Sequence, residues 1–171
     1  MIIETSRLRL SPIVPADAPD VFLMMRDPEV MAYQDVGEID DPDLVADIVA
    51  AEIRDVAAGR AWYWSLRQLS DGAYVGLCDI SDIDWRHHRA EVGFMLGRGA
   101  WGQGYALEAV RALIAHAASE GIQRLSARTH AGNGRSQTLL VKLGFEEEGY
   151  LRGHVDRDGE RRDCRVFGLL L

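Results

Sequence analysis

The stretch from Gly99 to Ala106 has the composition of a loop that could bind an anion. It follows an apolar run, Val92 to Leu96, that predicts a strand, and it leads into a long segment with helical periodicity. Gly102 and Gly104 permit unusual backbone angles and let a ligand approach the main chain. The first amides of a helix lack intrahelical partners and lie at the positive end of its dipole. The segment therefore predicts a phosphate or pyrophosphate site.

Two glycines alone are weak evidence, because a tight strand-to-helix connection also uses glycine for packing. The flanking residues narrow the choice of ligand. The Gly-Lys-Ser/Thr signature of an ATP-binding loop is missing, and so is the third glycine of the dinucleotide fingerprint. Neither of these common nucleotide sites is indicated.

The composition is that of an ordinary soluble protein. The chain has 171 residues, enough for one well-filled core, with 47% apolar and 27% charged residues. No apolar run approaches the roughly 20 residues that span a bilayer, and no signal peptide is indicated, so we expect a cytoplasmic protein that does not bind membranes. Cys78 and Cys164 are far apart and are expected to be reduced core thiols.

Charge and spacing restrict the ligands further. A formal charge of −8 argues against broad nucleic-acid binding and is compatible with a cationic acceptor such as an amine. Neither cysteine has a second cysteine or a histidine at the spacing that zinc needs, so no metal site is predicted. His87 and His88 are adjacent in a charged segment and are expected to lie on the surface.

Hydrophobic periodicity predicts the elements that would hold the loop. They form an α+β domain around a mixed, mostly antiparallel sheet of about seven strands with about four helices, in one domain over residues 1–171. The predicted strands are 7–11, 62–67, 73–80, 92–96, 124–129, 145–154 and 161–170. The predicted helices are 17–25, 42–58, 106–121 and 133–143, and the charged segment 81–89 is expected to be a loop.

The loop from Trp101 to Ala106, Trp-Gly-Gln-Gly-Tyr-Ala, running into Leu-Glu-Ala, resembles the acyl-CoA loop of the GCN5-related N-acetyltransferase (GNAT) superfamily. The likeness is to its ribosomal-protein N-acetyltransferase-like branch. Further stretches resemble the family in the expected order and cover nearly the whole chain: residues 4–10, residues 90–96, Asn133-x-x-Ser136 with Leu143-Gly-Phe145, and Asp158-Gly159 with Asp163. Five ordered landmarks are far more specific than any one of them.

The resemblance implies an acetyl-CoA-dependent N-acetyltransferase that moves the acetyl group directly to a primary amine in a ternary complex. The acceptor would be a protein N-terminus or a small molecule, and no metal would be needed. The alternative is a non-catalytic CoA-binding regulatory module with the same fold. Whether the protein forms a homodimer is left open.

The resemblance also implies which residues meet the co-substrate. Backbone groups of the strand would pair with the pantetheine arm, the loop would bind pyrophosphate, and a following helix would add two polar contacts. The family's loop often begins with Gln or Arg where this chain has tryptophan. The implied residues are Phe94, Met95, Leu96, Trp101, Gly102, Gln103, Gly104, Tyr105, Ala106, Asn133 and Ser136.

Two residues are candidates for proton transfer. Glu91 lies where the family often places a glutamate that accepts the proton of the amine, although an exposed strand-end carboxylate is the alternative. The family's usual tyrosine acid, seven residues after the asparagine, is replaced by Leu140. Tyr150 or water would then protonate the leaving thiolate, or the thiolate would leave unassisted.

Overall fold

The computed structural model describes all residues, 1–171, and contains one eight-stranded sheet in the order β1-β2-β3-β4-β5-β6-β8-β7. The strands are β1 (Ile3–Glu4), β2 (Leu8–Pro12), β3 (Trp62–Gln68), β4 (Tyr74–Asp84), β5 (Arg89–Leu96), β6 (Arg124–His130), β7 (Glu146–Arg157) and β8 (Glu160–Leu170). The helices are α1 (Ala18–Met25), α2 (Pro28–Met31), α3 (Pro42–Ala57), α4 (Tyr105–Ser119) and α5 (Gly134–Lys142). The predicted α+β fold with a mixed sheet is confirmed.

Helix boundaries follow from local capping. The Asp41 carboxylate accepts a hydrogen bond from the amide of Asp43 at 2.9 Å, and Pro42 occupies the first helical position of α3. The Asn133 side chain likewise accepts from the amide of Ser136 at 3.2 Å and starts α5. The predicted capping role of Asn133 is therefore confirmed.

Each face of the sheet is covered by its own set of helices. The larger core, which includes Leu113 of α4 and Leu140 of α5, packs against one face. The smaller core, which includes Val45 and Val49 of α3, packs against the other face together with Met95 of β5. Because side chains alternate along a strand, Glu91 and Gly93 lie on the same face as Met95.

The sheet opens between its two parallel strands. β5 and β6 pair only at Arg89 with Arg124, Ala90 with Leu125, and Glu91 with Ser126. Beyond Glu91, β5 remains paired with β4 as far as Leu96, while β6 remains paired with β8 as far as His130. The edges that face each other across the gap are therefore unpaired from Val92 to Leu96 and from Ala127 to His130.

The structure differs from the predicted elements in detail. It adds the two-residue strand β1 and the four-residue helix α2, which are too short to give a periodic pattern. The predicted loop at 81–89 is largely strand, since β4 extends to Asp84 and its Ser81 pairs with Glu91. Sequence analysis did not identify this part of the strand because its side chains are charged, whereas strand pairing is made by backbone groups.

Cys78 and Cys164 are both buried and unpaired, as predicted. No helix combines the length and the apolar character required to cross a membrane. No group of three or more His, Cys, Asp or Glu side chains is arranged to hold a metal ion.

Candidate active site

The glycine loop presents a continuous run of unused amides. Gly102 and Gly104 have φ angles of 73° and 81°, in the left-handed region that favours glycine. The six amides from Gly102 to Leu107 donate no hydrogen bond within the protein, and the first one that does is that of Glu108, to the Gly104 carbonyl. Such a run at a helix N-terminus is suited to a pyrophosphate, so the predicted anion site has the geometry that the ligand requires.

A cavity of about 770 Å³ opens in front of this loop and reaches the end of β5, where Phe94, Met95 and Leu96 line it. Its lining combines the glycine loop with apolar side chains, which suits a ligand that has a phosphate end and an apolar arm. The structure brings all but one of the predicted co-substrate residues to its wall: Phe94, Met95, Leu96, Trp101, Gly102, Gly104, Tyr105, Ala106, Asn133 and Ser136.

The larger side chains of the loop form hydrogen bonds within the protein. The Trp101 indole donates to the Leu96 carbonyl at 2.9 Å, and the Tyr105 hydroxyl donates to the Gln68 side-chain oxygen at 3.0 Å. The Gln103 amide donates to the Gly99 carbonyl at 2.7 Å, and this residue does not line the cavity. Gln103 is therefore the one predicted contact whose side chain is directed elsewhere, and the loop offers its ligand main-chain groups.

Sequence analysis missed a cation beside the loop. Arg135, in the first turn of α5, lines the same cavity and places its guanidinium 4.8 Å from the centre of the Trp101 ring. It forms no ion pair with any carboxylate of the protein, so its charge is available to a phosphate. Its position between Asn133 and Ser136 was the only sequence signal for this role.

The N-terminal segment is hydrogen-bonded to the glycine loop and to the first turn of α4. The Glu108 carboxylate, in the first turn of α4, accepts hydrogen bonds from the hydroxyls of Thr5 and Ser6 and from the amide and Nε of Arg7 at 2.6–2.9 Å. Burial alone would raise the pKa of Glu108, but the bonds from Thr5 and Arg7 outweigh it and lower the pKa to about 2. Arg7 also donates to the Gln103 carbonyl at 2.9 Å.

A second cavity, of about 380 Å³, adjoins the first and contains Glu91. Phe94 and Met95 line both cavities, and so do Asn133 and Ser136. The Glu91 side chain is half-buried, and this burial raises its pKa above the ordinary glutamate value. The exposed strand-end alternative is therefore wrong for Glu91.

Two further carboxylates lie on the same wall as Glu91. Asp79 of β4 pairs with Gly93, and a Cβ added to Gly93 would overlap the Asp79 carboxylate. Burial, reinforced by the charge of Glu91, raises the pKa of Asp79 to about 6. Glu52 of α3 lies close by, and burial followed by the charge of Asp79 raises its pKa to about 7. These two residues were not predicted to belong to the site.

The opposite side of this cavity carries an ion pair. Arg128 of β6 donates to both carboxylate oxygens of Asp35, at 3.1 and 2.7 Å. His130 lies with its Nε2 3.0 Å from the same carboxylate. The hydrogen bond from Arg128 lowers the pKa of Asp35. Asp35 belongs to the segment between α2 and α3, so this contact fixes that segment over the cavity.

The position of the family's usual acid is apolar here. Leu140 is fully buried and lines the second cavity. Tyr33 and Ser136 are the hydroxyl-bearing side chains that line both cavities. Tyr33 precedes the predicted helix 42–58 and lies in a stretch without periodicity, so sequence analysis did not identify it.

Tyr150, the predicted acid, lines neither cavity. Its ring is half-exposed on β7, and its hydroxyl donates to the Asp163 carboxylate at 2.5 Å. This hydrogen bond raises the pKa of Tyr150. The structure therefore does not bring Tyr150 to the candidate site, because proximity along the sequence to α5 did not become proximity in the folded chain.

Comparison with known proteins agrees with this geometry. The family model for the acetyltransferase (GNAT) domain matches residues 7–146. The uncharacterized N-acetyltransferase p20 of Bacillus licheniformis is 33% identical over 168 residues, which cover 97% of this chain and 94% of that protein. The ribosomal protein uS5-alanine N-acetyltransferase of Escherichia coli (strain K12) is 32% identical over 107 residues, which cover 61% of this chain and 55% of that protein.

The fold is also found among solved structures. Spermidine N-acetyltransferase from Vibrio cholerae, in complex with CoA and spermine, matches with a TM-score of 0.86 and 16% identity over 97% of this chain and 96% of that one. Relatives named as N-acetyltransferases favour an enzyme over the alternative of a non-catalytic CoA-binding module. The chain belongs to the GCN5-related N-acetyltransferase family and is an N-acetyltransferase that uses acetyl-CoA.

Proposed function

We propose that the enzyme transfers the acetyl group directly from acetyl-CoA to a primary amine, with both substrates bound at once and Glu91 as the proton acceptor. The observation that carries the proposal is the shared wall of the two cavities. Phe94 and Met95 line both, with the free loop amides beyond one end and Glu91 at the other. Two substrates can therefore meet at the gap between β5 and β6.

Bound acetyl-CoA supplies an activated thioester; the protein supplies position and charge. The amides of residues 102–107 hold the pyrophosphate, and Arg135 adds a cation. The edge of β5 that faces the gap is not paired with β6 beyond Glu91, and apart from the Leu96 carbonyl, which accepts from the Trp101 indole, its backbone groups pair with the pantetheine arm and donate to the thioester oxygen. These contacts leave the acetyl group oriented toward the second cavity.

The reaction requires a neutral amine, and a primary amine is mostly protonated at neutral pH. Glu91 accepts its proton as the nitrogen forms a bond with the acetyl carbon and the bond from carbon to sulfur breaks. The raised pKa of Glu91 makes it a better proton acceptor than an exposed glutamate. Leu140 offers no proton to the sulfur, and a thiolate is a modest base, so we propose that it leaves without a side-chain acid.

The acceptor is a primary amine on a peptide N-terminus or on a small molecule. Relatives and neighbours named for a ribosomal protein and for spermidine support both classes. The acidic second cavity supports a cationic acceptor in either case.

The proposal is tested with Glu91→Gln, which keeps the size of the side chain and removes its basicity. General base assistance contributes roughly 10²- to 10⁴-fold, so turnover should fall within that range while acetyl-CoA affinity stays unchanged. The loss should shrink as pH rises toward the pKa of the amine, because the free amine no longer needs a proton acceptor. Glu146→Gln, at an exposed glutamate without an ion pair, is the matched control.

The assay is release of CoA thiol with a panel of amines and N-terminal peptides, with the chemical step shown to limit the rate. Turnover of Glu91→Gln within about threefold of the parent would show that the proton acceptor is another group. Binding of acetyl-CoA without turnover on any amine would contradict the proposed transfer as a whole.

A further inference from the structure

The second cavity contains more negative charge than one amine needs. Glu52, Asp79 and Glu91 all line it, and none of them forms an ion pair with a basic side chain. Arg128 is the one lysine or arginine in the lining, and it is engaged by Asp35. Carboxylates that are partly buried without a cation destabilise the protein, so their retention here points to a cationic ligand.

The three carboxylates come from three different elements, Glu52 from α3, Asp79 from β4 and Glu91 from β5, so they line the cavity at different points. Ser81 pairs with Glu91, and Asp79 pairs with Gly93, so Asp79 and Glu91 are diagonal neighbours across β4 and β5. Diagonal neighbours are about 7–8 Å apart at the backbone, so Asp79 and Glu91 are adjacent along the wall, and the charge of Glu91 contributes to the raised pKa of Asp79. Glu52 lines the same cavity as Asp79, whose charge adds to the effect of burial in raising the pKa of Glu52, and the Glu52 Oε2 is buried without a hydrogen-bond partner.

An independent observation comes from His130, which lines the same cavity and is only 5% exposed. The Asp35 carboxylate accepts hydrogen bonds and cannot donate them, so the Nε2 of a neutral His130 carries the proton. Its Nδ1 then has a free lone pair, and this atom is buried without a partner. A buried acceptor of this kind calls for a donor from the ligand.

The wall between these polar groups is apolar. Met25, Met31, Leu77 and Met95 line the cavity. Tyr63, the cross-strand partner of Asp79, adds an aromatic ring. Methylene groups suit the methionines, and a cation suits the aromatic face.

We infer that the acceptor is a small aliphatic diamine or polyamine, with the reacting amine at Glu91 and a second ammonium group held by Glu52 and Asp79. This inference rests on the proposed function, since it uses Glu91 to define where the reacting nitrogen lies. It assigns Glu52 and Asp79 a role in substrate selection. Neither residue belongs to the glycine loop or to the strand edge that meets acetyl-CoA.

The test compares putrescine with 4-aminobutanol, which has the same carbon chain with a hydroxyl in place of one amine. A hydrogen bond to a charged group is worth roughly tenfold to a hundredfold, so kcat/KM for putrescine should exceed that for the amino alcohol by this factor. In Glu52→Gln and in Asp79→Asn the ratio should fall toward one. Asp47→Asn, at an exposed position on the same helix α3, should keep the parent's ratio.

Calorimetry on the protein loaded with CoA measures binding of the same two compounds without turnover. Tighter binding of putrescine without acetylation would support the cation subsite and contradict the proposed transfer. Acetylation of both compounds with equal kcat/KM would overturn the subsite and leave the transfer intact. Equal binding of the two compounds, or binding of neither, would also overturn the subsite, and the parent protein alone suffices for these comparisons if a variant fails to fold.

Discussion

Glu108→Gln is the change that best separates support of the loop from contact with the ligand. Glu108 lies outside both cavities, and its carboxylate joins the N-terminal segment to the first turn of α4. Glutamine keeps the shape and one acceptor oxygen. In the parent, the Arg7 Nε donates to the carboxylate at 2.7 Å. Glutamine also places an NH₂ group against this guanidinium. We expect both stability and acetyl-CoA affinity to fall.

The magnitude follows from the lowered pKa. A pKa of about 2 against 4.5 in an ordinary glutamate corresponds to at most about 3.5 kcal/mol at roughly 1.4 kcal/mol per pKa unit. The Arg7 side chain is 47% exposed, and water screens its interaction with the carboxylate. We therefore expect the free energy of unfolding to fall by about 1–2 kcal/mol at pH 7.

The sign of the pH dependence is fixed by the direction of the shift. Because the pKa is lower in the folded state, the ionised carboxylate stabilises the protein above the unfolded value of about 4.5. This contribution is lost as pH falls toward 2. The difference in stability between the parent and Glu108→Gln should therefore be full at pH 7 and smaller at pH 3.

Urea unfolding at both pH values measures this difference, and calorimetry measures the acetyl-CoA dissociation constant. Glu4→Gln is the matched control, because Glu4 pairs with Arg9 on the neighbouring strand and both side chains are about half-exposed. Its effect should stay below about 1 kcal/mol. If Glu108→Gln is no less stable than Glu4→Gln at pH 7, or if its deficit is the same at pH 3, the carboxylate does not support the loop.

Two other substitutions test the co-substrate loop and the corrected acid. Gly104→Asp should abolish measurable acetyl-CoA affinity by calorimetry, because φ is 81° and the new carboxylate would lie beside the pyrophosphate; unchanged affinity in a folded protein would contradict the loop assignment. Tyr150→Phe should keep turnover within about threefold of the parent, since the phenol lies outside both cavities and general acid assistance is worth far more. A hundredfold loss with normal stability would restore Tyr150 as a catalytic residue.

Sequence analysis predicted the parts of the site that are formed by residues close together in the chain. The glycine loop is defined by Gly102, Gly104 and the helix that follows, and the cap at Asn133 depends on residues within one turn. Glu91 was singled out by resemblance to a known motif, and the structure places it in the wall of the second cavity. Each of these features spans only a few consecutive residues, so a pattern in the chain carries it.

The rest of the site depends on contacts between distant segments. Glu108 and Thr5 are separated by 103 positions, and Arg128 and Asp35 by 93. Glu52 falls within the apolar stripe of α3, where a carboxylate is out of place, and that exception was the one signal available for it. Periodicity indicates which face of a helix is buried, but it does not tell which group lies opposite.

The two halves of the site are built from different chemical groups, and this difference has a consequence for specificity. In the proposed complex, acetyl-CoA meets mainly main-chain groups, whose positions depend on glycine angles and on the separation of β5 from β6. The proposed acceptor cavity is lined by side chains from α3, β4, β5 and β6. A substitution can replace a side chain without moving the backbone, but it cannot replace a backbone amide. Substitutions at positions such as Glu52 and Asp79 can therefore change the acceptor while the thioester keeps its position, because these two residues line only the second cavity.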